Sequence, residues 1–303
     1  MVDRSELLQE GLGELSLFAR SHPLLNFAYF AFVIGITMFS VHPVFLALSF
    51  VLAWCYSLLL RGKKALKMNL FILLPCIVIM TLVNTLNVHN GVTVLFYLNG
   101  NRITYEAIIY GLVSAIMLSA VIIWFSCFSV VVSEDKFIYL FGRIAPAIAL
   151  TLSMVMRYLP LLRDRFLEVS AAQRCMGRGL KGSSLISRGR QYGKELSILI
   201  AWSLESSIES ADSMEARGYG LRRRSSFHLF RFAGRERLIL AVLLLLGSVV
   251  AAACLMGETS IYYYPAILLP RLSAVQVVSL LCYGALMLLP MVMDIKEAKE
   301  WIS

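Results

Sequence analysis

Two arginines, each followed by a glycine, are the side chains of this sequence best suited to specific ionic chemistry. Arg178 lies in Gln173-Arg-Cys-Met-Gly-Arg178-Gly179, and Arg217 lies in Asp212-Ser-Met-Glu-Ala-Arg217-Gly218-Tyr219. A guanidinium can form two parallel hydrogen bonds with one carboxylate, and a neighbouring glycine allows another backbone to approach closely. A single such arginine is explained as a solvated cation near a helix end. Two of them in one basic block favour pairing with acidic groups of a docking partner.

Other patterns imitate catalytic or cofactor sites but lack the context that such sites need. The segment Gly177-Arg-Gly179-Leu-Lys-Gly182 has the spacing G-x-G-x-x-G, but it ends a predicted helix instead of following a strand. The segment Gly189-Arg-Gln-Tyr-Gly193-Lys194-Glu195 is one residue shorter than a phosphate-binding loop and has Glu where Ser or Thr would bind magnesium. The histidines and cysteines show no metal-ligand spacing. We therefore predict that the chain is not an enzyme and binds no cofactor or metal.

Two amphipathic helices must position the arginines. The first is predicted from Leu161 to Met176, and the second from Tyr192 to Ala216, before Gly218. Apolar residues follow one face of the second helix at steps of four: Leu196, Ile200, Leu204 and Ile208. Small residues form two further rows, which are Ser203, Ser207 and Ala211, and Ser206, Ser210 and Ser213. Such rows let two helices cross closely, although a solvated serine-rich face explains the same spacing.

The rest of the chain has the composition of an integral membrane protein. Of its 303 residues, 59% are hydrophobic and 16% are charged, compared with about 45–50% and about 25% in soluble proteins. The uncharged stretch from Ser21 to Leu60 would be about 60 Å long as a helix, twice the thickness of the hydrocarbon core. We therefore predict two spans there, with a turn at His42-Pro43. Four more spans are predicted at Asn69–Leu86, Tyr105–Val131, Leu238–Met256 and Ser273–Met293.

The distribution of charge predicts the topology. The net charge is +9, and most Arg and Lys residues fall between spans two and three or between spans four and five. By the positive-inside rule, both termini and the basic block are cytoplasmic, and a basic face held at a membrane needs no nucleic acid to explain it. Residues 137–156 contain an arginine and a proline, so we predict a helix along the cytoplasmic leaflet instead of a seventh span. The membrane regions are then residues 1–135 and 238–303, and the cytoplasmic module is residues 136–237.

These motifs resemble the transmembrane T component of energy-coupling factor (ECF) transporters, the family that includes the cobalt-transport permease CbiQ. The resemblance covers most of the chain. It rests on the N-terminal span pair with His-Pro turns, on Arg157-Tyr158-Leu159-Pro160, on Ala172-Gln173 before Arg178-Gly179, and on Met214-Glu-Ala-Arg217-Gly-Tyr219. The first arginine motif reads Gly177-Arg178-Gly179, where members of the family usually have Ala-Arg-Gly.

The resemblance implies an all-α membrane scaffold with about six spans and cytoplasmic coupling helices. In the family, the T component joins two cytoplasmic ABC-type ATPases to a small membrane S component that captures a vitamin or a metal ion such as cobalt. ATP would therefore bind to the partners, and the S component would select the substrate at the cell membrane. Carried over here, the ATPase-coupling residues are Arg178, Gly179, Arg217 and Gly218, the supporting residues are Arg157, Pro160, Gln173, Glu215 and Tyr219, and the helix crossing is at Ser203, Ser207 and Ala211.

Two other classes of protein stay open at this point. A stand-alone secondary carrier would need coupling-ion sites and repeat symmetry, yet the one charged residue that the sequence places within a span is Glu106, at its start. A membrane enzyme would need clustered catalytic groups. The compact candidates are Glu134, Asp135 and Lys136, which the start of a helix explains equally well. Transport that persists without ATPases would favour the carrier.

Overall fold

The computed structural model describes residues 16–88, 91–98, 101–142, 145–177, 185–220, 232, 234–263 and 273–302. Ten helices and one two-stranded hairpin lie within these residues. In chain order they are α1 (Leu17–Arg20), α2 (Pro23–Phe39), α3 (Pro43–Arg61), α4 (Lys63–Asn87), β1 (Val94–Leu98), β2 (Asn101–Thr104), α5 (Tyr105–Val131), α6 (Glu134–Gly142), α7 (Pro146–Cys175), α8 (Leu185–Ala216), α9 (Gly234–Leu255) and α10 (Ala274–Ile302).

The predicted all-α membrane fold is confirmed. Five helices are long and apolar enough to cross a membrane, and they are α3, α4, α5, α9 and the segment Ala274–Ile295 of α10. The predicted first span is the apolar helix α2, which has 17 residues and is therefore about 26 Å long. The hairpin between α4 and α5, in which β1 pairs antiparallel with β2, was not predicted.

The chain divides into two compact units. The membrane unit consists of Met1–Phe137 and Phe230–Ser303, and the central unit consists of Ile138–Leu229. The membrane unit contains every helix that is long and apolar enough to span among the described residues. The sequence analysis placed the boundaries between the membrane regions and the cytoplasmic module at residues 135 and 237. These boundaries remain a prediction, because they are defined by the position of the membrane surface.

Both His-Pro sequences begin helices of the membrane unit. His22 and His42 are the N-caps of α2 and α3, and a proline occupies the first helical position in each case. The Nδ1 atoms accept hydrogen bonds from the N–H of Leu24 at 3.2 Å and of Val44 at 3.3 Å. Proline suits this position because its missing N–H would have no partner there. The predicted turn at His42-Pro43 is confirmed.

Aromatic side chains fill the centre of the membrane unit. Trp124 of α5 is completely buried, and its ring lies 6.2 Å from that of Tyr29, 6.4 Å from that of Phe30 and 6.0 Å from that of Tyr56. Pairs of rings at such separations stabilise a core beyond the area that they bury. Packing around Trp124 therefore joins helices α2, α3 and α5.

A buried polar network crosses the same interior. The hydroxyl of Thr37 lies 2.9 Å from that of Ser49 and 2.7 Å from that of Tyr283, and Nε1 of Trp124 donates to Ser49 at 3.1 Å. Because water is absent from a bilayer core, polar groups there must find partners within the protein. The network fixes the relative positions of α2, α3, α5 and α10.

The central unit differs from the predicted pattern at Pro160. The first amphipathic helix was predicted to begin at Leu161, after this proline, whereas α7 runs from Pro146 to Cys175 with Pro160 inside it. A proline removes one backbone hydrogen bond of a helix. Pro160 is exposed.

Candidate functional site

Arg217 stands at the C-terminal end of α8, where backbone groups close the helix. The N–H of Gly218 donates to the carbonyl of Glu215 at 2.9 Å, and the N–H of Tyr219 donates to that of Met214 at 3.0 Å. Gly218 has a φ of 82°, in the left-handed region that glycine adopts without strain. These bonds form a Schellman motif. The exposed side chain of Arg217 is therefore not needed to cap the helix.

The helix that leads to the first arginine motif ends in a different register. Gly177 has a φ of 78°, and its N–H donates to the carbonyl of Arg174 at 3.0 Å. The left-handed residue thus stands directly before Arg178, whereas in the second motif it stands directly after Arg217. Arg178 and Gly179 lie outside the described residues, so their predicted role stays a prediction.

Helices α7 and α8 pack antiparallel through polar contacts at three levels. At one end the hydroxyls of Tyr158 and Ser210 lie 2.6 Å apart, and hydrogen bonds with Ser210 and Ser206 lower the pKa of Tyr158 below its ordinary value. In the middle the guanidinium of Arg165 lies 5.1 Å from the ring centre of Trp202, a cation–π distance.

At the other end, Gln191 contacts both Gln173 and Glu195. Consecutive levels are seven and eight residues apart on α7 and eight and eleven residues apart on α8, which is about two to three turns. The contacts therefore join the two helices at both ends of this stretch and in its middle.

The small residues of α8 divide between two faces. Ser203, Ser206 and Ser210 are half-buried, whereas Ser207 and Ala211 are exposed. Ser210 and Ser206 form hydrogen bonds with Tyr158 of α7, and the hydroxyl of Ser207 donates to the carbonyl of Ser203 within α8. The predicted crossing row of Ser203, Ser207 and Ala211 is therefore not gathered on one buried face, and its role in a helix crossing stays a prediction.

The predicted supporting residues lie in different environments. Arg157, Pro160 and Glu215 are exposed, Tyr219 is 48% exposed and Gln173 is buried. Their predicted roles remain predictions. Gln173 accepts a hydrogen bond from Gln191 of α8.

The apolar row of α8 has no cover within the described part of the chain. Leu196, Ile200, Leu204 and Ile208 are 51%, 50%, 61% and 65% exposed. Such a row on a charged helix is typical of a surface that another protein or lipid covers. The same helix therefore carries an apolar row along its length and an exposed arginine at its end.

The burial of two charged residues of the membrane unit was not predicted from the sequence. Asp294 is 2% exposed, and its Oδ1 accepts hydrogen bonds from the hydroxyl of Ser16 at 2.9 Å and the N–H of Phe18 at 3.0 Å. In the sequence, Asp294 directly follows the predicted span Ser273–Met293 and is followed by further charged residues. This pattern indicates a solvated side chain.

Lys136 is 6% exposed, and its ammonium donates to the carbonyls of Ala19 and Val131. Burial lowers the pKa of Lys136 to about 8. The sequence offers no signal for this burial, because Lys136 follows two acidic residues that indicate an ordinary helix start. Both buried groups position α1: Asp294 binds its N-terminal end and Lys136 a carbonyl near its C-terminal end.

No group of three His, Cys, Asp or Glu side chains that could hold a metal ion occurs within the described ranges. The features that remain are an exposed arginine on a self-capped helix, a second helix with its own glycine end, and an uncovered apolar row. Together with the apolar helices of the membrane unit, they define a multi-pass membrane protein with a helical module suited to docking other proteins.

Comparison with known families gives this class a specific identity. Residues 20–229 match the model of the family described as cobalt transport protein, CbiQ, and the chain belongs to this family. The match includes α2 to α5 and both helices of the α7–α8 pair. The predicted family is therefore confirmed, and the protein is a component of a transport system.

The chain is also similar to a curated protein, the energy-coupling factor transporter transmembrane protein EcfT of Lactobacillus helveticus (strain DPC 4571). The two are 33% identical over 100 residues, which are 33% of this chain and 36% of the relative. The alignment thus spans about a third of the relative's length.

Proposed function

We propose that this chain is the transmembrane T component of an ECF-type ABC importer. It would couple ATP hydrolysis by two cytoplasmic ATPases to the uptake of a vitamin or a transition-metal ion, which a separate membrane S component captures. Membership of the CbiQ family and the similarity to a protein named as an energy-coupling factor transporter subunit support this assignment. The chain itself would be non-catalytic.

The observation that carries the proposal is the state of Arg217. Its helix is closed by backbone hydrogen bonds, its side chain is exposed, and the ion pair found among the described residues joins Arg165 to Glu168 instead. An arginine presented in this way is available to a carboxylate of another protein. The adjoining Gly218 has no side chain and lets a partner surface approach the helix end.

The exposed apolar row of α8 supports a second partner in the membrane. A small hydrophobic S component could cover Leu196, Ile200, Leu204 and Ile208, which a solitary chain leaves in contact with solvent or lipid. In this arrangement both termini and the central unit are cytoplasmic, as the positive-inside rule predicts. When the docked ATPases move, they would then move α8, and α8 would move the S component that packs on its apolar row.

The test is to purify the tagged chain from native membranes in mild detergent and to identify its partners by mass spectrometry. We expect two ABC ATPases and a small hydrophobic protein. In the variant Arg217→Glu, repulsion from an acidic partner should reduce the recovered ATPase at least about tenfold, as expected for a lost charge-assisted contact. Arg190→Glu is the matched control, because Arg190 is also an exposed arginine of α8 but lies away from its C-terminal end.

Recovery of the chain alone, under conditions that keep other membrane complexes intact, would contradict the proposal. Equal recovery of ATPase with Arg217→Glu and with Arg190→Glu would remove Arg217 from the interface while leaving the family assignment in place. Transport into vesicles that contain the chain without any ATPase would identify a secondary carrier instead.

A further inference from the structure

Three polar side chains form a small cluster where the end of α7 packs against α8. Gln173 and Glu195 are 6% and 2% exposed, and Gln191 is half-buried. The side-chain amide of Gln191 donates to Oε1 of Gln173 at 3.4 Å and to Oε1 of Glu195 at 3.2 Å. Gln191 therefore bridges the last turn of α7 and the buried carboxylate of α8.

Glu195 is the ionisable residue that lies deepest in the described part of the central unit. A buried carboxylate is costly unless hydrogen bonds surround it, and Oε2 of Glu195 has no hydrogen-bond partner among the described residues. The contact with Gln191 is thus the compensation that these residues provide. A shift of one residue along α8 would turn its side chains by about 100° about the helix axis and break the bridge.

The position of the cluster connects it to the first arginine motif. Gln173 lies in the last turn of α7, four residues before Gly177, where the chain turns out of the helix with a φ of 78°. The contact with Gln191, which holds Gln173 against α8, therefore also sets the direction in which the chain leaves α7. Arg178 is the next residue.

We propose that Glu195 is a positioning residue for energy coupling: through Gln191 and Gln173 it sets the register of α8 against the end of α7 that leads to Arg178. The inference rests on the proposed function, because it assigns Glu195 to the transmission of ATPase movement. This role requires no contact between Glu195 and ATP or the transported substrate. Its effect is on how much transport accompanies each ATP that the partners hydrolyse.

The experiment uses the complete complex, reconstituted in liposomes, with ATP hydrolysis and substrate uptake measured on the same sample. In Glu195→Ala we expect ATPase recovery and hydrolysis close to those of the unchanged complex, while uptake per ATP falls roughly tenfold, the scale of one lost hydrogen bond to a charged group. Glu195→Gln keeps an oxygen that accepts from Gln191 and should restore most of the coupling. Glu205→Ala is the control, since Glu205 is an exposed carboxylate on the same helix.

A mutant cycle separates positioning from general support of the fold. If Glu195 and Gln191 act through one bridge, Gln191→Ala should uncouple as strongly as Glu195→Ala, and the double variant should be no worse than either. Normal uptake per ATP in Glu195→Ala would overturn the inference. So would normal coupling in Gln191→Ala, which tests the bridge without removing the buried carboxylate. Failure of the unchanged chain to recover ATPases would instead overturn the proposed function.

Discussion

The two units of the molecule bury different kinds of side chain. The interior of the membrane unit contains large aromatic and aliphatic groups around Trp124, whereas the described central unit buries only Ala149, Ser170, Gln173 and Glu195. Apolar residues of the central unit remain largely exposed, among them Leu204 and Ile208. The membrane unit is stabilised by its own packing, whereas apolar faces of the described central unit remain exposed.

The largest expected effect separates the two interiors directly. Trp124→Ala removes a completely buried ring and its hydrogen bond to Ser49, and should lower the free energy of unfolding by about 3–5 kcal/mol. Leu204→Ala removes a side chain that is 61% exposed, and should change the same quantity by less than about 0.5 kcal/mol. Denaturant unfolding of the purified chain in detergent measures both.

The reverse order is expected for binding. Leu204→Ala should weaken recovery of the small membrane partner, because its side chain lies in the uncovered row of α8. If Leu204→Ala instead destabilised the isolated chain as strongly as Trp124→Ala, the central unit would have an apolar interior of its own, and the contrast between the units would be wrong.

Two helix ends of the same geometry allow a second comparison. Gly218 in the central unit has a φ of 82°, and Gly257 in the membrane unit has a φ of 80°. A β-carbon at either position costs roughly 1–2 kcal/mol of left-handed strain, and at Gly257 it would meet no atom closer than 3.8 Å. Gly218→Ala and Gly257→Ala should therefore lower stability by similar amounts.

Only the glycine beside Arg217 should affect coupling. We expect Gly218→Ala to reduce the ATPase that co-purifies with the chain and Gly257→Ala to leave it unchanged, with unfolding measured in parallel. An equal loss of ATPase in both variants would show that global stability, and not the presentation of Arg217, controls assembly.

The helices of the central unit show how far the sequence could predict this structure. The end of α8 at Ala216 was predicted, because Gly218 follows an amphipathic pattern and a Schellman motif needs such a residue. Its beginning was predicted at Tyr192 but lies at Leu185. Gly189 and Gly193 each disfavour a helix by about 1 kcal/mol, and the helix nevertheless runs through both, so tertiary contacts such as the bridge of Gln191 outweigh this local preference.

The buried charges could not be predicted in the same way. Glu195 follows Lys194 on a helix with many charged residues, so its pattern indicates a solvated side chain. Gln191 links it to Gln173, which precedes it by more than twenty residues and comes near it only when α7 and α8 pair. Asp294 likewise depends on Ser16 and Phe18 at the other end of the chain. Periodicity within one helix contains no information about such partners.

The smallest expected effect is a dependence of stability on pH. It should occur in the membrane unit, where an imidazole caps a helix, and not at the end of α8, which backbone groups close. The imidazole Nδ1 of His22 accepts the N–H of Leu24, which requires an unprotonated nitrogen. Burial lowers the pKa of His22, and the negative charge of the Glu236 carboxylate, which accepts a hydrogen bond from the backbone N–H of His22 at 3.0 Å, opposes this shift. The unfolded chain therefore binds this proton more readily than the folded chain.

His22 should accordingly stabilise the membrane unit fully above the ordinary pKa of about 6.5, and this contribution should be lost as the pH falls through the lower pKa of the folded state. Thermal unfolding of the chain in detergent between pH 8 and pH 5, compared with His22→Asn, isolates the effect, because asparagine caps a helix without titrating. The end of α8 is closed by backbone groups of Gly218 and Tyr219, which do not titrate. The amount of ATPase that co-purifies through Arg217 should therefore not change when His22 is replaced. If the variant and the unchanged chain had the same pH profile, the imidazole cap would contribute no pH-dependent stability to the membrane unit.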